Sequence, residues 1–238
     1  VDIWSAGYRI PLYGRGESIE MMYAKSTIGT PSSSAVLGGT LGVVGKGSVG
    51  AVRWNHFFPR NGEYSSRLTV GLDYRDMKSS CVDNTGAPLT GVAGCVDYLV
   101  IPVSVAYQGR VEQATRALFY SLGVATNVGS SSSESYDLAS SNRRAPTSFS
   151  VMRLSAGWME ALPGDWQLRA NLSVQATPNP LVPTEQLGLA GFSAVRGFLE
   201  RAYASDRGYV LQLEAYTPDL AGLMSWPGNL RLLAFYDL

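Results

Sequence analysis

The stretch YSSRLTVGLDYR, residues 64–75, alternates between two kinds of side chain. One set is mostly apolar and aromatic: Tyr64, Ser66, Leu68, Val70, Leu72 and Tyr74. The other set is charged, polar or small: Ser65, Arg67, Thr69, Gly71, Asp73 and Arg75. Because successive side chains of a β-strand point to opposite faces of the sheet, this period predicts a strand with one apolar and one charged face.

The same period recurs along the chain and predicts about ten strands. Their ranges are 5–12, 17–26, 47–58, 64–75, 96–107, 115–127, 149–158, 165–176, 207–216 and 229–237. Strands that cross a bilayer need about 9–11 residues, whereas strands of soluble proteins average about five or six. Short connections, such as 59–63, alternate with long ones, such as 177–206. The predicted fold class is therefore all-β, a transmembrane antiparallel β-barrel.

The charged face of these strands is expected to line a water-filled lumen. A dry sandwich core would need a partner for every charge, whereas a wet lumen would not. The predicted lumen-facing residues are Arg9, Glu20, Arg53, Arg67, Asp73, Arg75, Arg153, Arg169 and Arg231. The alternative fold is a soluble sandwich with one solvated face, which explains the strand lengths and the loop asymmetry poorly.

Composition excludes several classes of protein. Lys+Arg and Asp+Glu both number 19, so no global charge points to nucleic acid. No segment approaches the roughly 18 apolar residues of a transmembrane helix. The first residues lack the pattern of a signal peptide, and Leu238 ends the chain inside a predicted strand. We therefore expect residues 1–238 to be the central part of the barrel domain of a longer protein.

The two cysteines, Cys81 and Cys95, lie in one polar stretch, SSCVDNTGAPLTGVAGC, residues 79–95. A disulfide formed in an oxidising compartment is the preferred interpretation. The alternative is two free thiols. A metal site is disfavoured because no histidine or further cysteine lies nearby.

The sequence contains no recognisable catalytic motif. His56 is the only histidine, so a Ser-His-Asp triad would require it. The sequence lacks a Gly-x-Ser-x-Gly elbow and a phosphate-binding loop of the usual spacing. We therefore expect neither enzymatic activity nor a cofactor or metal.

Residues 175–208 closely resemble the TpsB family, the outer-membrane transporters of two-partner secretion of the hemolysin-activator type. The matching features are Gln175, Pro180-Leu181, Glu185-Gln186, Ala190-Gly191, Val195-Arg196-Gly197-Phe198, Glu200 and Asp206-Arg207-Gly208. Ala190 stands where the family more often has glycine. The Val-Arg-Gly-Phe core also looks like that of BamA-type assembly proteins, but the Pro-Leu and Glu-Gln approach is more similar to TpsB. Residues 235–238 match the start of a second family motif, Phe-x-Asp-x-Gly.

The resemblance implies a 16-stranded barrel, preceded by two POTRA domains, in the outer membrane of a Gram-negative bacterium. It implies secretion of a large TpsA-type partner, resembling a hemolysin or an adhesin, across the lipid bilayer and without a cofactor. The alternatives are a BamA-like assembly factor and, less closely, a porin or an outer-membrane enzyme.

The family's inward-folded loop implies a contact between Arg196 and an aspartate of a later strand. Asp237 matches that aspartate and lies on the charged face of its strand, where a guanidinium would hold it by two parallel hydrogen bonds. Glu214 is a second candidate partner on the same face. Phe192 and Phe198 are expected to pack against the wall. The alternative is a surface loop with a solvated arginine.

Overall fold

The structure, a computed structural model, describes residues 2–26, 31–33, 42–44, 46–78, 81–82, 88–89, 96–224 and 227–238. The strands are β1 (Ile3–Leu12), β2 (Glu17–Ser26), β3 (Pro31–Ser33), β4 (Gly42–Val44), β5 (Lys46–Phe57), β6 (Tyr64–Lys78), β7 (Cys81–Val82), β8 (Pro88–Leu89), β9 (Tyr98–Glu112), β10 (Arg116–Ser130), β11 (Ser150–Leu162), β12 (Trp166–Ala176), β13 (Leu187–Gly188), β14 (Ala204–Ser205), β15 (Gly208–Tyr216) and β16 (Leu233–Asp237). Helix α1 spans Ser133–Ala139, and 3-10 turns span Tyr13–Arg15, Pro183–Glu185 and Ala221–Met224.

Ten of these strands form one antiparallel sheet in the order β1-β2-β5-β6-β9-β10-β11-β12-β15-β16. These are the ten strands that the alternation predicts, and the all-β fold class is confirmed. The main differences are at strand ends. Strand β9 continues to Glu112, and the last strand begins at Leu233 rather than at residue 229. Within the described residues, no helix is both long enough and apolar enough to cross a membrane.

The strand register places most of the predicted charged set on one face, which we call the polar face. Arg9 lies opposite Glu20, and Glu20 lies opposite Arg53 on the next strand. Arg169 lies opposite Glu214 in the same way. Residues that are directly opposite in neighbouring strands share a face, so these side chains form one surface.

Arg231 does not belong to that surface in the way predicted. It precedes β16, and its Nη2 donates a hydrogen bond to the Asp165 carboxylate at 2.5 Å. Asp165 lies in the turn between β11 and β12. Arg231 therefore lies at the rim formed by the short turns.

The opposite, apolar face of the sheet is uncovered. Its large side chains remain exposed across the middle of the strands, including Val52, Leu72, Val103, Val105, Leu122 and Val124. A continuous exposed apolar band of this size is unusual on a water-soluble surface. It fits the lipid-facing band of a barrel wall.

The long-loop end of the polar face is covered by a hydrophobic core. Two segments lie over it: the helical loop, residues 131–149, and the central loop, residues 177–207. Tyr136, Phe149, Leu181 and Val182 from these loops are buried with Val49, Met77, Val100 and Val151 from the strands. We expected this face to be wet along its whole length. Asp73 and Arg75 are instead buried, because the two loops exclude water there.

Candidate functional site

The central loop lies on the polar face and folds into its own hairpin. Pro178, Pro180 and Pro183 prevent β12 from continuing, because proline cannot donate to a sheet ladder. Strands β13 and β14 then pair, and the tip turns at Gly191. Gly191 has a φ of 121°, and a Cβ there would lie 2.2 Å from Glu200 Oε2, so this position requires glycine.

Arg196 at the loop tip binds Asp237 of β16 in a forked contact. Its Nε donates to Asp237 Oδ2 at 2.7 Å, and its Nη2 donates to Oδ1 at 2.6 Å. The Arg196 backbone amide also donates to Oδ2, at 3.0 Å. The side chains are 18% and 4% exposed, respectively. Two parallel charge-assisted bonds fix both the distance and the orientation of the pair.

Two further groups complete the surroundings of Arg196. Its Nη1 donates to Glu214 Oε1 at 2.5 Å, and its guanidinium stacks over the Phe235 ring at 4.0 Å. Tyr216 donates to the other Glu214 oxygen at 2.9 Å and thereby orients that carboxylate. The hydrogen bond with Asp237, aided by Glu214, raises the pKa of Arg196 despite the opposing effect of burial, so the guanidinium stays charged.

Two of the remaining motif residues, Val195 and Gly197, determine the backbone conformation of the tip. The Val195 amide donates to the Leu189 carbonyl at 3.2 Å. Gly197 has a φ of 93°, which favours glycine. Contrary to expectation, Phe192 and Phe198 do not pack against the wall. Both are exposed, and Phe198 contacts Tyr203 edge-on within the loop.

Sequence reasoning missed the role of Glu185. This carboxylate is fully buried and receives hydrogen bonds from Arg75 Nη1 and from Arg153 Nη2, the latter at 2.9 Å. Gln175 of β12 holds the same residue through its backbone, because its Nε2 donates to the Glu185 carbonyl at 2.9 Å. The Glu-Gln pair belongs to the resemblance at the sequence level, but a loop residue has no strand phase that would reveal its partners.

The ionisation of Glu185 depends on these partners. Burial alone would raise the pKa of the Glu185 carboxyl, since water stabilises its charged form. The charges and hydrogen bonds of Arg75 and Arg153 outweigh burial, and the pKa is lowered. The carboxylate therefore stays ionised at neutral pH.

The other predicted polar-face residues form smaller contacts. Arg9 and Glu20 are 3.4 Å apart, Arg53 and Asp73 are 3.5 Å apart, and Arg67 donates to Gln108 at 2.6 Å. The Arg169 guanidinium lies 4.7 Å from the centre of the Tyr216 ring.

The two remaining residue predictions concern chemistry rather than the polar face. His56 stacks with Trp54 on the apolar face and lies 3.6 Å from Glu17. Cys95 lies outside the described residues, as does the side chain of Cys81, so the disulfide stays a prediction. Among the residues that the structure describes, no cluster of three or more histidine, cysteine or acidic side chains could hold a metal.

The fold of the chain is similar to that of two solved structures. The chain resembles CdiB from Escherichia coli with a TM-score of 0.69 and 21% identity, covering 99% of this chain and 41% of that one. It resembles CdiB from Acinetobacter baumannii with a TM-score of 0.63 and 14% identity, covering 90% of this chain and 36% of that one. The chain therefore spans about two fifths of the length of these proteins.

No curated protein matches the chain by sequence. The family described as haemolysin secretion/activation protein ShlB/FhaC/HecB matches residues 5–238, almost the whole chain. The chain belongs to the ShlB/FhaC/HecB family of haemolysin secretion/activation proteins.

Proposed function

We propose that this chain forms part of an outer-membrane channel that secretes a large partner protein from the periplasm to the cell surface. The central loop lies inside the barrel, and Arg196 anchors its tip to Asp237. The forked contact between these two side chains carries the proposal. Family membership supports the same function.

The two faces of the sheet suit such a channel. The apolar face meets the hydrocarbon of the bilayer, where backbone groups have no water and must pair within a closed sheet. The polar face gives a passing polypeptide charged side chains rather than an apolar surface on which it would stick. The partner would be a TpsA-type protein, hemolysin-like or adhesin-like, that crosses in an extended form. Transport needs no covalent step and no cofactor.

The test is secretion by the full-length protein carrying Arg196→Ala. Hydrogen bonds to charged groups contribute about 1.5–3 kcal/mol, so losing this contact should lower the amount of secreted partner by about tenfold or more. Asp237→Asn should act in the same direction. Both variants should still insert, because neither residue faces lipid.

Arg207→Ala is the matched control, because Arg207 is an exposed arginine of the same loop. It should secrete normally. Normal secretion by Arg196→Ala would refute the proposed role of the anchor. If cells with Arg196→Ala secrete the partner normally but assemble other outer-membrane proteins poorly, the BamA-like alternative is favoured, because BamA-type proteins share the loop motif.

A further inference from the structure

A second charged contact holds the central loop, and in it the charges of loop and wall are reversed relative to the Arg196 contact. At the tip, an arginine of the loop meets the acidic groups Asp237 and Glu214 of the wall. At the base, an acid of the loop, Glu185, meets Arg75 and Arg153 of the wall. The two contacts share no partner.

The base contact bridges strands that are not neighbours. Arg75 belongs to β6 and Arg153 to β11, and β9 and β10 lie between them. Neighbouring strands are about 4.8 Å apart, so the two strands are separated by about 14 Å along the sheet. One carboxylate reaches both arginines because it lies above the polar face, between two long side chains that converge on it. Glu185 therefore ties together distant parts of the wall.

The base has additional support from the helical loop, and the tip has one further wall contact, from Gln212 Nε2 to the Ala194 carbonyl at 2.7 Å. Arg143 of the helical loop donates to the Leu181 carbonyl at 2.7 Å. Asp206 accepts from the Leu181 amide at 3.1 Å and from Arg143. At the tip, by contrast, Phe192 is 87% exposed and Leu199 is 83% exposed. The base is packed like a protein interior, whereas these apolar side chains of the tip are exposed to water.

We propose that Glu185 is a positioning residue that fixes the base of the central loop to β6 and β11 independently of the tip. The Arg196 contact can then open and close while the base remains on the wall. The anchoring itself does not depend on what the barrel transports. Its use in secretion, where the tip moves aside for the partner, rests on the proposed function.

The test is hydrogen–deuterium exchange, read by mass spectrometry, on the full-length protein in detergent. Glu185→Gln keeps the shape of the side chain but removes its charge, and one amide nitrogen then faces an arginine. We expect exchange in residues 181–190 to accelerate by about tenfold or more. The peptide 192–198, which contains the Arg196 amide bound to Asp237, should change by less than about twofold.

Arg196→Ala should show the converse pattern, with faster exchange in 192–198 and unchanged exchange in 181–190. Glu63→Gln is the control, because Glu63 is an exposed carboxylate in the short turn between β5 and β6; it should leave residues 181–190 unchanged. The proposal is wrong if Glu185→Gln releases base and tip together, or if it leaves the base protected.

A second variant keeps the test usable if Glu185→Gln does not fold. Arg153→Gln removes one wall partner, and its side chain is 36% exposed, so less is buried at that position. It should accelerate exchange at the base in the same direction, by a smaller factor. Exchange is measured without the secreted partner, so a wrong assignment of transport would leave this result unchanged.

A pH profile separates the charge of Glu185 from its packing. The titratable and charged groups around it are Arg75 and Asp73 from β6, Tyr98 from β9, Arg153 from β11 and Tyr136 from α1. After correction for intrinsic exchange, acidification to about pH 4 and below should accelerate exchange at the base in the unmodified protein. The Glu185→Gln protein should show a clearly smaller response, because Asp206, which accepts from the Leu181 amide, is then the only carboxylate of the loop left to be protonated at the base. Equal responses in both proteins would overturn the assignment.

Discussion

At the scale of single residues, each loop anchor consists of one charged side chain held by two groups of opposite charge. Arg196 lies between Asp237 and Glu214, and Glu185 lies between Arg75 and Arg153. A buried charge with such partners is tolerated, whereas the same charge without them is costly. Substitution of a partner should therefore act in the same direction as substitution of the central residue, and less strongly where the partner is more exposed.

The Glu185 anchor predicts a stability difference that depends on pH. Its pKa in the folded protein lies below the ordinary value of about 4.3 for glutamate. A lowered pKa contributes stability that is fully present above the ordinary value and is lost as pH falls through the folded value. The gap in unfolding temperature between the unmodified and the Glu185→Gln proteins should thus be largest near neutral pH and should shrink below about pH 4.

Thermal unfolding of the full-length protein in detergent, followed by the shift in electrophoretic mobility, measures this gap at each pH. Glu63→Gln serves again as the control and should differ little from the unmodified protein at any pH. A gap for Glu185→Gln that stays constant from neutral to acidic pH would contradict the prediction.

The sequence revealed one of these anchors and not the other. Arg196 stands in a recognisable motif, and the strand phase of Asp237 places it on the polar face. Glu185 lies in a segment without periodicity, and its partner Arg75 is 110 residues away. Local pattern contains no information about a contact of that kind, because it depends on how a loop lies across four strands.

At the scale of elements, strand phase was predictable and strand ends were not. Alternation of apolar and polar residues follows from the pleat, so the ten main strands and their faces could be predicted. Helix α1 was missed because it is only seven residues long, within a loop. Its N-cap, Ser132, accepts a hydrogen bond from the Ser135 amide at 3.1 Å. Serine is a common N-cap, but the run of serines at 130–133 does not show which of them begins a helix.

Two aromatic residues of β10 fix its register with both neighbouring strands. The Phe119 ring covers Gly157 of β11 on the polar face, where an added Cβ would lie 2.0 Å from the ring. The Tyr120 ring covers Gly109 of β9 on the opposite face, where the added Cβ would lie 2.4 Å away. Glycine in these two strands thus provides space for a ring from the next strand.

Gly157→Ala should therefore displace Phe119 and lower the unfolding temperature of the full-length barrel. Overpacking in a core typically costs about 1–3 kcal/mol, and the lower end of that range is expected here because the Phe119 side chain is 50% exposed. Gly14→Ala is the control, because a Cβ there would have no neighbour within 4 Å. Adding Phe119→Ala to Gly157→Ala should restore part of the lost stability. A Gly157→Ala protein as stable as the control would show that the ring does not set the register.

The loop that contains Cys81 and Cys95 carries an independent prediction. A bridge between them would close a loop of about 15 residues and stabilise the fold by about 3 kcal/mol. Alkylation of the unfolded protein without reductant should leave its mass unchanged, whereas alkylation after reduction should label two thiols. Labelling of both cysteines without reductant would show that they are free.

At the scale of the whole molecule, the two faces of the sheet should respond differently to the same substitution. Val105 lies exposed on the apolar face in the middle of β9, and Ser104 precedes it on the polar face. Lysine at the lipid-facing midplane of a barrel costs about 2–4 kcal/mol. Val105→Lys should therefore reduce the amount of folded protein in the outer-membrane fraction.

Ser104→Lys is the matched control, because it adds the same charge to the same strand on the other face. It should insert at close to the normal level. Equal loss of insertion by both variants would argue against the assignment of the faces to lipid and to water.

The overall architecture was the most predictable level. Strand length, loop asymmetry and the charged face together favoured a membrane barrel over a sandwich, and the family match agrees with that fold. The prediction failed at the long-loop end, where Asp73 and Arg75 are buried rather than wet. Alternation shows which face a residue occupies, but it does not show which part of that face the loops will cover.

The unequal lengths of the strands have a consequence for the height of the wall. Strands β6, β9 and β10 have 15 residues each, whereas β15 has nine and β1 and β2 have ten. At a tilt near 45°, a strand of 15 residues rises about 35 Å and a strand of nine residues about 21 Å. The three long strands, β6, β9 and β10, are neighbours in the sheet and therefore extend beyond the roughly 25 Å apolar band of an outer membrane.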